Sequence, residues 1–187
     1  TRNESSAASD VYKRQVPRSR SAAKANISFS FNTTSTSPTA TLSAGLVCVG
    51  TIENSNYVFS IPNDIVTTIV NGVATFDNID VFQGTFLRKQ FVVDGSLDQR
   101  FLLDNSFIDS STIVVKVKGL SDTGTLGREY TLSNNILNVD STSEIYLIQE
   151  ARDERYELLF GDGYFVKKLE NGAVISATYI ITCLLHT

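Results

Sequence analysis

The stretch EIYLIQEARDERYELLFGDG, residues 144–163, opens the densest pattern in this sequence, which runs from Glu144 to Ile181. It contains two apolar runs, EIYLIQ and RYELLF, separated by polar or small residues. In the second run Tyr156, Leu158 and Phe160 fall on one face of an extended chain, and Arg155 and Glu157 fall on the other. This is the two-residue period of a strand with one buried face. Two such runs joined by a short loop predict a β-hairpin.

A tight reversal of the chain is predicted directly after this hairpin. Gly161 and Gly163 bracket Asp162, and glycine allows positive φ because it has no Cβ to clash. The turn residues 170–172 follow, and then a run rich in β-branched residues at 173–181. This run predicts a third strand.

Eight residues of this region have the spacing of a known signature: Phe160, Gly161, Asp162, Gly163, Leu169, Gly172, Ile175 and Tyr179. The spacing resembles that of the baseplate J-like family of contractile-tailed bacteriophages and is most similar to its T-even-type baseplate wedge subunits. Further similarity lies in residues 130–132, 144–150 and 167–172, and the resemblance covers about residues 27–181. The chain departs from the family pattern at Val166, where the family usually carries glycine.

The preceding part of the chain is a series of short apolar runs, most of which end at Asp, Asn, Gly or Pro. These runs are residues 27–31, 46–49, 57–61, 65–70, 73–76, 79–82, 84–86, 90–93, 101–103 and 113–118. The dipeptide Asn71-Gly72 suits a two-residue hairpin loop with positive φ at both positions. Recurrence at intervals of about 8–12 residues is typical of sandwiches and barrels. The sequence therefore predicts an all-β fold of antiparallel, sandwich-like modules built from short strands and hairpins.

The chain divides into four predicted segments. Residues 1–26 have no apolar period and are expected to be a disordered or non-native leader. Residues 27–110 are expected to form one β module and residues 111–182 a second, with the Gly-Asp-Gly turn; a single continuous sandwich is the alternative. Residues 183–187 are expected to be a tail outside the fold. The chain has no methionine and begins with Thr1, which predicts a fragment of a longer protein.

Charge and composition exclude several classes of partner. The net charge of the chain is −4. Residues 1–26 have a net charge of +4, so the remaining residues have a net charge of −8 and would repel nucleic acid. No apolar run approaches the ~18–20 residues of a membrane span, so no membrane partner is expected. Cys48, Cys183 and the single His186 form no zinc-binding set. No metal and no cofactor are predicted.

A catalytic site is also not predicted. Asp162 has no Asp or Asn two residues away, as a calcium loop would, so it is interpreted as part of a structural turn. Four acids near the hairpin loop raise the alternative of a glycosidase carboxylate pair: Glu150, Asp153, Glu154 and Glu157. Arg152 and Arg155 lie between them, which favours a solvated surface loop. The sequence therefore predicts a protein that is not an enzyme and has no small-molecule substrate.

The resemblance implies a structural component of a contractile phage tail baseplate wedge that acts by protein-protein assembly. The implied partners are copies of itself and other baseplate wedge proteins, and the implied location is the virion tail baseplate, assembled in the host cytoplasm. Tyr164 and Phe165, or edge strands within 144–181, are expected to contribute to an interface. The alternatives are a carbohydrate-binding or adhesin-type β-sandwich and, less favoured, a β-sandwich glycoside hydrolase.

Overall fold

The computed structural model describes residues 19–96, 98–124, 127–133, 140–161 and 166–182. Within these ranges the chain forms thirteen β-strands and one short 3₁₀ turn, and it forms no α-helix. The strands make two sheets, one of six strands and one of seven. The predicted all-β fold class is confirmed.

The six-stranded sheet contains the first half of the strands. They are β1 (Lys24–Asn32), β2 (Thr39–Leu42), β3 (Gly45–Ile52), β4 (Ser55–Ile61), β5 (Ile65–Val70) and β6 (Val73–Gln83). The order is β2-β5-β6-β4-β3, and β1 pairs along β6. Every pairing in this sheet is antiparallel. Its small core is formed around Ile61, Phe76, Ile79 and Val81, which are buried.

The hairpin between β5 and β6 has the predicted two-residue loop. Asn71 and Gly72 have φ of 51° and 75°, so both occupy the left-handed region. The runs 73–76 and 79–82, which the sequence separates, belong to the single strand β6. Asn78 has φ of 57°, and the register with β1 shifts at this point. A bulge there absorbs an extra residue, so the strand continues instead of ending.

The seven-stranded sheet contains the second half of the strands. They are β7 (Thr85–Val92), β8 (Phe101–Leu103), β9 (Ile108–Lys118), β10 (Arg128–Leu132), β11 (Ile145–Glu150), β12 (Tyr156–Leu159) and β13 (Val174–Ile181). The order is β7-β13-β9-β10-β11-β12-β8. The predicted hairpin is present as the antiparallel pair β11 and β12. The third strand, β13, does not join it but lies between β7 and β9.

One pair in this sheet is parallel, in contrast to the antiparallel prediction. Thr131 and Leu132 of β10 pair with Ile145 and Tyr146 of β11 in the same direction. The chain between these two strands is about a dozen residues long, which is the length that a parallel crossover requires. All other pairs in the sheet are antiparallel.

The sheet curls so that its two edges approach each other. The rings of Phe91 on β7 and Phe101 on β8 meet edge to face at 5.6 Å between centroids. Inside the curl lies the larger core of the protein, whose buried members include Leu103, Val115, Tyr146, Leu158, Ile175, Ala177 and Tyr179. The sheet therefore packs its inner face largely on itself.

The sheets divide the chain at Gly84, not at residues 110 and 111. The predicted boundary falls inside β9, which is continuous from Ile108 to Lys118. Asp109 and Ser111 suggested a loop because they are polar. In the fold, however, the carboxylate of Asp109 accepts the backbone N–H of Ser111, so the polar residues are satisfied within the strand.

The start of the fold also differs from the predicted leader boundary. β1 begins at Lys24, and Ala25 continues the inward alternation of Ile27 and Phe29. Ala22 is buried before this strand begins. Residues 1–18 and the predicted tail at 183–187 lie outside the described part of the chain.

The two sheets contact each other through backbone groups near Gly84. The N–H of Gly84 donates to the carbonyl of Val58 at 2.9 Å, and its carbonyl accepts the hydroxyl of Ser60 at 2.9 Å. The hydroxyl of Thr178 on β13 donates to the carbonyl of Pro62 at 3.2 Å. These bonds hold the β4 region against the start of β7 and the outer face of β13.

Candidate functional site

The described residues of the predicted signature lie mainly in the core of the seven-stranded sheet. Ile175 and Tyr179 on β13 are 0% and 1% exposed. Leu169 packs against the same core. Phe160 meets Phe101 and Tyr130 edge to face, at 5.4 and 6.0 Å between ring centroids. These positions therefore stabilise the sheet.

The hydroxyl of Tyr179 is satisfied inside this core. It donates to the side-chain oxygen of Asn105 at 2.6 Å. Burial raises the pKa of this tyrosine above its usual value. A buried phenol with a hydrogen-bond partner is a structural group.

Gly161 is required where the chain doubles back on itself. It forms an isolated parallel bridge with Lys168, and a Cβ at this position would overlap the backbone of Val166. Val166 is itself buried at this position, where the family pattern usually carries glycine.

Gly172 occupies the predicted turn before β13. Its φ is 85°, and the N–H of Ala173 closes the turn on the carbonyl of Glu170 at 3.0 Å. The N–H of Gly172 also donates to the carbonyl of Val93 at 2.7 Å. The turn is thereby attached to the end of β7.

Four of the predicted site residues lie outside the described part of the chain. They are Asp162, Gly163, Tyr164 and Phe165. The structural turn and the interface predicted for them stay predictions.

The other predicted interface was on edge strands within residues 144–181, but the strands of this region are not at the edge of the sheet. β11, β12 and β13 each have a neighbour on both sides, so none of them is an edge of the sheet. The edges of the seven-stranded sheet are β7 and β8. The prediction of free edges in this region was therefore wrong, because β8 and β10 come from earlier in the chain and flank the hairpin.

The acids of the hairpin loop are each exposed except Glu157. Asp153 pairs with Arg155 at 2.9 Å and Glu154 with Arg20 at 3.5 Å, as expected for a surface loop. Glu157 is only 8% exposed, so its predicted solvation was wrong. Arg100 contacts both of its carboxylate oxygens, with Nε at 2.8 Å from Oε1. This two-point contact replaces the water that burial removes.

The Arg100 pair predicts sensitivity to acid. The guanidinium of Arg100 holds the pKa of Glu157 below its usual value of 4.5. A carboxylate with a lowered pKa stabilises the fold above its unfolded pKa, and this contribution is lost as pH falls through the folded pKa. We expect the melting temperature to fall as pH decreases below about 4.5. A Glu157→Gln variant should melt lower at neutral pH and lose less on acidification.

The matched control is Glu150→Gln on the adjacent strand. Glu150 is exposed and has no ion pair within the described chain. Thermal unfolding from pH 7 to pH 3 should give this variant the wild-type profile. If the melting temperature of Glu157→Gln fell with decreasing pH as steeply as that of the wild type, the Arg100-Glu157 pair would not be the cause of the acid sensitivity.

A second charged network joins residues that sequence reasoning did not connect. Glu144 accepts Nη1 of Arg128 at 3.1 Å and Nζ of Lys167 at 2.6 Å. Nη2 of Arg128 lies 3.2 Å from Asp122, whose carboxylate accepts the N–H of Gly119 at 2.8 Å. The Lys167 ammonium lowers the pKa of Glu144, and the Gly119 N–H lowers that of Asp122. The network fastens the segment after Val166 to the sheet.

The only hint of this network in the sequence is that two of its residues lie in segments that resemble the baseplate family. Glu144 opens the segment 144–150 and Lys167 opens the segment 167–172. Their pairing could not be read from spacing, because the whole β11-β12 hairpin lies between them in the sequence.

Within the described ranges, no group of three or more His, Cys, Asp or Glu residues is arranged to hold a metal ion. No helix in that part of the chain is long and apolar enough to cross a bilayer.

The most exposed apolar strand is β3, at one edge of the six-stranded sheet. It pairs with β4 on one side, and no other strand of the described chain pairs with it. Leu46, Val49 and Ile52 are 62%, 53% and 64% exposed. The strand GLVCVGTI carries no charge and no proline, the features that normally protect an edge.

Comparison with known families agrees with the division between the sheets. Residues 85–183 match the family described as bacteriophage baseplate wedge protein gp6, third domain. The match begins at the first residue of β7 and includes all seven strands of the second sheet. No curated protein matches the chain. Since the match spans more than half of the chain, this protein belongs to the family of the bacteriophage baseplate wedge protein gp6 and has a structural role in the phage tail baseplate.

Proposed function

We propose that the chain is a T-even-type subunit of a contractile tail baseplate wedge and works by protein-protein assembly. Its partners are copies of itself and other wedge proteins, which it joins in the host cytoplasm. The family match over the seven-stranded sheet carries this proposal. The six-stranded sheet, outside that match, supplies a surface suited to assembly.

That surface is the edge strand β3. An unpaired strand edge presents backbone N–H and C=O groups that another extended segment can bond. Lysine or proline usually prevents such pairing, and β3 has neither. Its exposed side chains are aliphatic, so a partner strand would also remove apolar surface from water. We therefore assign β3 to the contact with a neighbouring wedge subunit.

The test is Val49→Lys in the chain co-expressed with the other wedge proteins of the same phage. The new ammonium would be desolvated beside an apolar partner strand, so we expect at least about tenfold weaker association, which corresponds to about 1.4 kcal/mol. Co-purification and sedimentation velocity measure the loss.

The matched control is Val66→Lys. Val66 is 61% exposed, but β5 lies between β2 and β6 and has no free edge. This variant should assemble like the wild type. Equal loss of association in Val49→Lys and Val66→Lys would place the contact on the face of the six-stranded sheet and not on the edge of β3. A wild-type chain that joins no wedge protein would overturn the proposed function itself.

A further inference from the structure

A basic cleft lies where the two sheets meet. One wall is the outer face of β7, β13 and β9, and the other is the turn formed by Pro62, Asn63 and Asp64. Its volume is about 150 Å³. Three cationic side chains, which the assembly surface on β3 does not use, line it: Arg88, Lys116 and Lys118.

The strand register places these cations on both sides of β13. Arg88 on β7 is the partner of Thr178, Lys116 on β9 is the partner of Ser176, and Lys118 is the partner of Val174. Neighbouring strands lie about 4.8 Å apart, so the backbones of β7 and β9 are about 10 Å apart across β13. Along β9, Lys116 and Lys118 are about 7 Å apart. The hydroxyls of Ser176 and Thr178 lie between the two rows.

Two acids balance these three cationic side chains only in part. Lys116 comes no closer than 4.0 Å to Glu129, and within the described chain neither Arg88 nor Lys118 has an ion pair. The acid in the lining is Asp64, and its Oδ1 accepts the N–H of Ala44 at 2.7 Å. The cleft is therefore a local region of positive potential on a protein with a net charge of −4.

We infer that this cleft binds an acidic segment of another baseplate protein. The inference rests on the proposed role in assembly and names one partner chemistry. A single small oxyanion would not bridge cations spread over about 7 by 10 Å, whereas an extended peptide would. In an extended chain, acidic residues at alternate positions lie on one face about 7 Å apart, which matches the spacing of Lys116 and Lys118. The partner segment carries the pattern acid-any-acid.

The probe is the peptide Gly-Glu-Ser-Glu-Ser-Glu-Gly, added to the whole chain at low salt. Amide chemical shifts in ¹⁵N spectra report both the affinity and the place of binding. We expect the shifts to concentrate on β7, β9 and β13 around the cleft, and the affinity to fall with added salt. The double variant Arg88→Gln with Lys118→Gln should bind at least about tenfold more weakly.

The matched control changes the same residue types outside the cleft. Arg152→Gln with Lys168→Gln removes the same charge from two exposed residues that have no ion pair within the described chain. Its affinity should stay within about twofold of the wild type. Spectral dispersion and melting temperature verify that both double variants are folded.

Several outcomes overturn the inference. They are the absence of peptide binding, equal loss in the two double variants, and shifts that lie away from the cleft. Sodium sulfate that binds as tightly as the peptide at equal ionic strength would make this an oxyanion site. Self-association that only the cleft variant abolishes would identify a second copy of the chain as the partner. Since the peptide experiment uses the chain alone, its failure leaves co-assembly with wedge proteins to be decided by the β3 variants.

Discussion

Replacement of Gly84 by alanine is expected to lower the free energy of unfolding by about 4 kcal/mol. Gly84 has φ of 147°, a conformation that side chains with a Cβ rarely adopt. An added Cβ would also lie 2.6 Å from Cγ2 of Ile180 and would overlap the carbonyl of Ile181. The residue cannot move away easily, because both of its backbone groups are bonded to β4.

Urea unfolding of Gly84→Ala measures this effect, with Gly50→Ala as the control. Gly50 lies in β3 without positive φ, and the nearest atom to an added Cβ is Cε2 of Phe59 at 3.4 Å. We expect Gly50→Ala to change stability by less than about 1 kcal/mol. A Gly84→Ala midpoint close to that of the wild type would show that the junction relaxes and does not constrain the two sheets.

Local features of this fold could be predicted from the sequence. The strand at 65–70 and the loop at Asn71-Gly72 were predicted with their observed limits, because a β-branched run and a turn dipeptide act within a few residues. The hairpin of β11 and β12 was predicted for the same reason. The alternating side chains of this hairpin and its short loop follow one another directly in the sequence, so a local pattern is enough to predict them.

Long-range features could not be predicted in this way. The position of β13 between β7 and β9 depends on pairing across many residues, and several strands of similar composition compete for it. The burial of Glu157 depends on Arg100, which is remote in sequence. The boundary between the two sheets is the single residue Gly84, and the amino-acid composition does not change there. The polar residues near Asp109, in contrast, have the composition of a linker although they lie within β9.

The candidate site shows the same limit. The resemblance supplied the residues that form the core around Tyr179, because a family signature records spacing. It did not supply the β3 edge or the basic cleft. Both arise where the six-stranded sheet, which lies outside the family match, adds its own surface. The cleft in particular is lined by residues from both sheets, so it cannot be read from either half of the sequence.

Asp109→Ala is expected to lower the free energy of unfolding by about 3 kcal/mol. Asp109 is 2% exposed, and its Oδ2 accepts the N–H of Ala22 at 2.7 Å. Its Oδ1 accepts the N–H of Ser111 at 3.0 Å and the hydroxyl of the same residue at 2.6 Å. Alanine would leave the N–H of Ala22 without an acceptor in a buried place, whereas the donors of the exposed Ser111 could turn to water. Asp104→Ala removes only a surface pair with Lys89 and should cost less than about 1 kcal/mol.

Asp109→Asn separates the two halves of this interaction. An amide keeps one acceptor oxygen but must turn its NH₂ group toward either Ala22 or Ser111. Since Ser111 offers two donors to one oxygen, we expect the amide oxygen to stay there and the NH₂ group to face the N–H of Ala22. Hydrogen exchange at Ala22 should then accelerate in both variants, and exchange at Ser111 only in Asp109→Ala. Unchanged exchange at Ala22 would mean that the segment before β1 is not held by the seven-stranded sheet. Acceleration would show that the start of the six-stranded sheet depends on an acceptor in β9.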